Sequence, residues 1–178
     1  MRCWRTFDIE KRYGFDKVIV YSILLAVMCF LFSYALLQSL FSETPHFKYF
    51  PVFLAGLAGI YPLHKLIHLL PVFHYRTYMK CRCKFICSCL PIFSIHIKEP
   101  VPKKTFMLSL ILPFLTINPI LLACVGLFPH YTHYFAVLIA FHTGLCLIDL
   151  LYVKALITCP QQAVIEEHDR GYEILIPQ

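Results

Sequence analysis

The sequence contains no phosphate-binding glycine loop, no nucleophile elbow, no internal repeat and no low-complexity tract. The first two absences remove the usual marks of nucleotide-dependent and serine-hydrolase chemistry. The missing repeat argues against a transporter, because four helices without one leave little room for alternating access. Carboxylates are also scarce where the chain is apolar: Asp149 is the single acidic residue inside any of the long apolar stretches.

What is present is hydrophobic. Of 178 residues, 59% are apolar, and the mean hydropathy is +0.68, against about 45–50% apolar content in soluble domains. The expected class is a membrane all-α protein, a four-transmembrane-helix bundle with a small cytoplasmic β element, forming one integral domain over 1–178. The spans fall at 17–42, 49–73, 105–128 and 133–158, each reaching the roughly 20 residues that cross a bilayer. The turn Pro129-His130-Tyr131-Thr132 makes the last two an antiparallel hairpin. The first apolar run exceeds the roughly 7–15 residues of a signal h-region, so it reads as an anchor.

Orientation follows from the basic residues, which stay on the cytoplasmic side of short connections. Arg2, Arg5, Lys11, Arg12 and Lys17 precede or begin the first span. Arg76, Lys80, Arg82, Lys84, Lys98, Lys103 and Lys104 separate the second from the third. The opposite connections offer only Lys48. The sequence therefore predicts a multi-pass protein of the cell membrane with both termini, the loop 74–104 and the tail 159–178 in the cytoplasm. Its net charge of +6 then reflects topology and contact with anionic headgroups rather than nucleic-acid binding.

Two histidines stand inside the second span, in Gly59-Ile60-Tyr61-Pro62-Leu63-His64-Lys65-Leu66-Ile67-His68-Leu69-Leu70, where ionisable groups are expensive. Positions i and i+4 share a helix face, so His64 and His68 could hold one metal ion. The spacing is that of the metallopeptidase motif H-E-x-x-H, with Lys65 where a glutamate would act as general base. At 1.5 Å per residue, His64 and His68 lie roughly 22 and 28 Å from the outer end of their span. Asp149 falls at a matching depth in the fourth span. Two histidines and one carboxylate, with a fourth position open to water, make a catalytic zinc set.

Other readings use the same residues. Asp149 could pair with Lys65, joining spans two and four in a non-enzymatic structural or regulatory protein. His142, two turns before Asp149, could be an alternative ligand, but reads rather as a packing residue of the bundle. Cys81-Arg82-Cys83-Lys84-Phe85-Ile86-Cys87-Ser88-Cys89 holds four of nine cysteines. In a reducing cytoplasm these stay thiols; they could bind a soft metal, accept palmitate or simply alternate along a strand.

These segments resemble a family of small bacterial membrane proteins described as putative zincin peptidases, distantly similar to intramembrane metalloproteases of the site-2 kind. The resemblance rests on His64-Lys65-Leu66-Ile67-His68, on Lys98-Glu99-Pro100-Val101-Pro102-Lys103-Lys104 leading into Leu112-Pro113-Phe114, on the Asp149 region and on Asp169-Arg170-Gly171-Tyr172-Glu173-Ile174. It implies zinc held by His64, His68 and Asp149, and a peptide or membrane-protein substrate. Asn118-Pro119 is similar to an Asn-Pro element near the site in those proteases. Lys65 departs from the pattern, and a charged ammonium accepts no proton from water. Since general acid–base catalysis contributes about 10²–10⁴-fold, the resemblance implies a weak or non-catalytic relative.

Outside the spans, residues 74–104 read as short strands ending in a Pro-rich approach, and the tail reads as a hairpin, 163–165 against 172–176. The two pieces are expected to join in one small sheet able to take an extended substrate by strand addition. Small residues in Ala55-Gly56-Leu57-Ala58-Gly59 should allow close helix contact, and Pro62 a kink before the histidines.

Overall fold

In the computed structural model the described residues are 2–8, 12–41, 44–73, 79–86, 90–97, 100–168 and 171–176. Three long helices follow the apolar runs: α1 (Phe15–Phe41), α2 (Phe50–Val72) and α3 (Lys103–Leu127). Each is long and apolar enough to cross a membrane. Their outward faces carry bare apolar side chains, among them Leu24, Met28, Leu31 and Phe32 of α1, a pattern that water would penalise and lipid accepts.

The fourth apolar segment is broken rather than continuous. A 3₁₀ turn (Pro129–Tyr131) leads into α4 (Thr132–Leu145), and α5 (Leu147–Ile157) follows at an angle of 43°. The bend lies just beyond Gly144, where α4 presses on α1. A Cβ placed on Gly144 would stand 3.0 Å from both the Ala26 Cβ and the Ser22 carbonyl oxygen. Only a residue without a side chain permits that approach. Gly56 does the same more loosely for α2 and α4, its Cβ position lying 3.7 Å from Leu138, whereas Gly59 faces open space. Pro62 lies within α2, which continues through it to Val72.

The β structure lies beyond the helix ends opposite the 44–49 and 128–131 connections, which are tied to each other by the His46 amide donating to the His130 carbonyl at 3.1 Å. Among the described residues it comprises two sheets, not the single one expected. The tail forms the antiparallel hairpin β5 (Val164–His168) and β6 (Gly171–Ile176). The N-terminal strand β1 (Arg2–Phe7), for which no expectation had been formed, pairs with β6. From the preceding loop only β4 (Val101–Pro102) joins, on β5, giving the order β1-β6-β5-β4. The short β4 has a physical cause: Pro100 and Pro102 lack amide donors, so Val101 alone can donate to a ladder. The rest of the loop, β2 (Met79–Ile86) and β3 (Leu90–Ile97), pairs as a separate hairpin. Cys87, Cys89 and the side chains of Cys81 and Cys83 lie outside the described residues, as do Lys98, Glu99, Asp169 and Arg170.

A core of Val101, Phe106, Leu110, Val153, Leu156, Ile165 and Ile174 fastens the larger sheet to the helices. At its edge Lys103 is buried and its Nζ donates to the Cys159 carbonyl at 2.6 Å, satisfying an acceptor just past the end of α5.

Candidate metal centre

His64 and His68 occupy one face of α2, one turn apart, because the helix repeats every 3.6 residues. The bend between α4 and α5 brings Asp149, in the first turn of α5, against that face. Three ligand-type atoms converge. The Nε2 atoms of His64 and His68 are 2.9 Å apart, and Asp149 Oδ2 lies 3.2 Å from the first and 3.5 Å from the second. His64 is 3% and Asp149 8% exposed, while His68 is half-buried.

The arrangement can be tested against a metal. The three atoms stand 2.9–3.5 Å apart, a spacing compatible with ligands sharing one zinc ion at about 2.0–2.1 Å. Asp149 Oδ2 is buried and has no hydrogen-bond partner, despite its ion-pair distances to the imidazoles. A buried carboxylate oxygen so placed needs positive charge beside it, which a bound cation or a protonated imidazole supplies. The residues present therefore fit a metal ion.

Both imidazoles are held from behind. His68 Nδ1 lies 2.8 Å from the Ser109 carbonyl; a carbonyl only accepts, so that nitrogen carries the proton and Nε2 is free to ligate. The Ser109 carbonyl is available because the residue four positions on is Pro113, which has no amide to fill it. His64 Nδ1 lies 3.1 Å from His142 Nε2, and His142 Nδ1 lies 2.8 Å from Asn118 Oδ1. Thus α2 supplies two ligand atoms, α5 the third, and α3 and α4 the groups that turn the rings.

Two expectations change here. His142 is not packing alone: fully buried, it bonds directly to His64. The Lys65–Asp149 ion pair is not formed; among the described residues the bases beside Asp149 are His64 and His68. One residue along a helix turns the side chain by about 100°, so Lys65 leaves the face that His64 presents and stands half-buried beside it. His64, His142 and Cys146 form a second group of metal-ligand type. It would use the opposite nitrogen of His64, and all three of its residues are buried.

The contacts of His142, Ser109 and Cys146 with the histidines of the site are not evident from the sequence. The signal for His142 was present: a polar side chain in an apolar span two helical turns from Asp149. A backbone carbonyl such as that of Ser109 leaves no mark in sequence except the proline four residues later.

No curated protein and no solved structure matches the chain. The model of the family described as putative zincin peptidase matches residues 57–164, which include His64, His68 and Asp149. That match spans more than half of the 178 residues, and the chain belongs to this family.

Proposed function

We propose that this is an integral membrane protein of zincin type in which His64, His68 and Asp149 hold a zinc ion, and in which peptidase activity is weak or absent because Lys65 stands at the general-base position. The observation that carries the reading is the convergence of two Nε2 atoms and a buried carboxylate oxygen within 2.9–3.5 Å of one another.

A bound zinc ion would supply Lewis acidity, lowering the pKa of a coordinated water toward about 7. The chain's own residues do the rest. His68, half-buried, marks the more accessible side of the site. Lys65 adds positive charge next to the ligands and accepts no proton while charged. With four crossing segments in the cell membrane, both termini would face the cytoplasm. The partners would then be the lipid bilayer and a peptide or membrane-protein substrate, bound or cleaved slowly.

The test compares the parent protein with Lys65→Glu for zinc content, thermal stability and cleavage of peptides in detergent or vesicles. Zinc near one equivalent in both, with metal-dependent cleavage gained or raised in Lys65→Glu, is expected. A metal-free parent with an inactive, destabilised variant would instead leave a structural protein whose histidines and aspartate hold the bundle together.

A further inference from the structure

The imidazole that touches His64 belongs to a longer chain with a single direction. Thr143 Oγ1 donates to the Ile139 carbonyl at 2.7 Å, so its own proton is committed and its oxygen can accept. Asn118 Nδ2 donates to that oxygen at 3.3 Å, which fixes which end of the amide is which. The amide oxygen is then the atom 2.8 Å from His142 Nδ1. An oxygen that can only accept requires a proton on that nitrogen. With one proton on its ring, His142 presents a bare Nε2 to His64 Nδ1 at 3.1 Å, and the His64 proton must sit on Nδ1. The lone pair of His64 Nε2 is left pointing at Asp149 and His68.

We propose that Asn118 is a positioning residue which, acting through His142, fixes the tautomer of His64 and so presents its Nε2 lone pair to the metal. This rests on the zinc reading for its purpose, but the tautomers themselves do not depend on a metal being bound. Neutral histidine in water favours the opposite tautomer, with the proton on Nε2, so the chain imposes a choice that the side chain alone would not make. The hydrogen bonds of Asn118 go to Thr143 and His142, so its influence on the site passes through His142. Cys146 Sγ, 3.5 Å from the same His142 Nε2, adds a weak thiol donor to that nitrogen and leaves the direction unchanged.

The test uses full-length protein labelled with ¹⁵N-histidine in detergent micelles, read by two-bond proton–nitrogen correlation without metal and by zinc titration. In the parent, His64 and His142 are expected to carry their protons on Nδ1. Asn118→Leu removes the acceptor, should return His142 toward the Nε2 tautomer and should weaken zinc binding by about 10–100-fold, the usual effect of losing an outer-shell partner. Asn118→Asp restores an acceptor for His142 and should keep the Nδ1 tautomers. Thr143→Val, the milder change, frees the amide to turn over and should mix the tautomers in a protein whose helices remain packed. Nε2 protonation of His142 in the parent, or unchanged tautomers and unchanged zinc affinity in a folded Asn118→Leu, overturns the proposal. Parent protein that shows the Nδ1 tautomers yet takes up no zinc supports the relay while removing the proposed function.

Discussion

His64 Nε2 and His68 Nε2 face each other across 2.9 Å, each with its other ring nitrogen already engaged, by His142 and by the Ser109 carbonyl. Two imidazole nitrogens directed at one point, with a carboxylate oxygen beside them, are drawn together by positive charge, and a single zinc ion would serve all three at once. Zinc should therefore raise thermal stability as well as bind. Free zinc at 100 times its Kd would stabilise the fold by about 2.7 kcal/mol. His64→Ala, His68→Ala and Asp149→Ala should each abolish that increment and the bound equivalent of metal. Cobalt in place of zinc should give the intense visible bands of a four-coordinate ion in the parent and lose them in each variant. Equal melting with and without metal would remove the basis of the site.

The half of the site built on His68 depends on a missing amide. Pro113 leaves the Ser109 carbonyl without its intrahelical donor, and His68 Nδ1 takes that place at 2.8 Å. Pro113→Ala restores an N–H at the position that would bond to Ser109. The substitution should make α3 locally more regular, since an interior proline carries a helix penalty of about 3 kcal/mol. It should also weaken zinc binding several-fold by competing for the carbonyl. Zinc titration and hydrogen exchange at residue 113 read these opposite effects separately. A variant that gains backbone protection and binds zinc as the parent does would show that His68 needs no such fixing.

How far the sequence could be read depended on whether the information was local. Hydropathy located three long apolar helices to within a few residues, since each apolar run folds as one helix. The i, i+4 pair and the lone acidic residue of the fourth span brought His64, His68 and Asp149 together on paper, and the structure brings them together in space. The bend at Cys146 was not legible, because no proline marks it; it coincides with contact between Gly144 and a helix more than 100 residues earlier. The same holds for β1, which pairs with a strand at the far end of the chain. Between the two readings of His142, ligand and packing residue, the sequence could not choose, since its partner, His64, sits on another helix, and only the fold decides whether a buried polar residue packs or orients.

Gly144 offers a packing test of that bend. Its missing side chain lets α4 meet the Ser22 carbonyl and Ala26 of α1, between the positions of His142 and Cys146 in the chain. Gly144→Leu would force the helices apart, and overpacking of this kind costs about 1–3 kcal/mol. Because α4 also carries His142, the variant should lose zinc affinity together with stability, measured by thermal melting in micelles and by metal titration. Ala26→Gly in the same protein should recover part of both by returning space on the facing helix. Full stability of Gly144→Leu would place the cause of the bend elsewhere.

Topology gives the last prediction, and it rests on charge rather than on the site. Twelve basic residues lie on segments that the span pattern assigns to one side, from Arg2 to Lys17 and from Arg76 to Lys104, and Lys48 alone lies on the other. The β elements lie on the same side as the twelve, by the connectivity of the helices. Since basic residues near span ends hold their segments in the cytoplasm, reporters fused after Ser42 and Pro129 should read as external and those after Lys84 and Gln178 as cytoplasmic. Moving charge should move the protein: neutralising Arg76, Lys80, Arg82 and Lys84 together while adding lysines at 43–47 should produce a mixed population. A parent whose C-terminal reporter is external has an odd number of crossings or the reverse orientation. In the first case α4 and α5 would fail to cross as one bent span, and Asp149 would no longer reach the depth of His64 and His68 by the path drawn here.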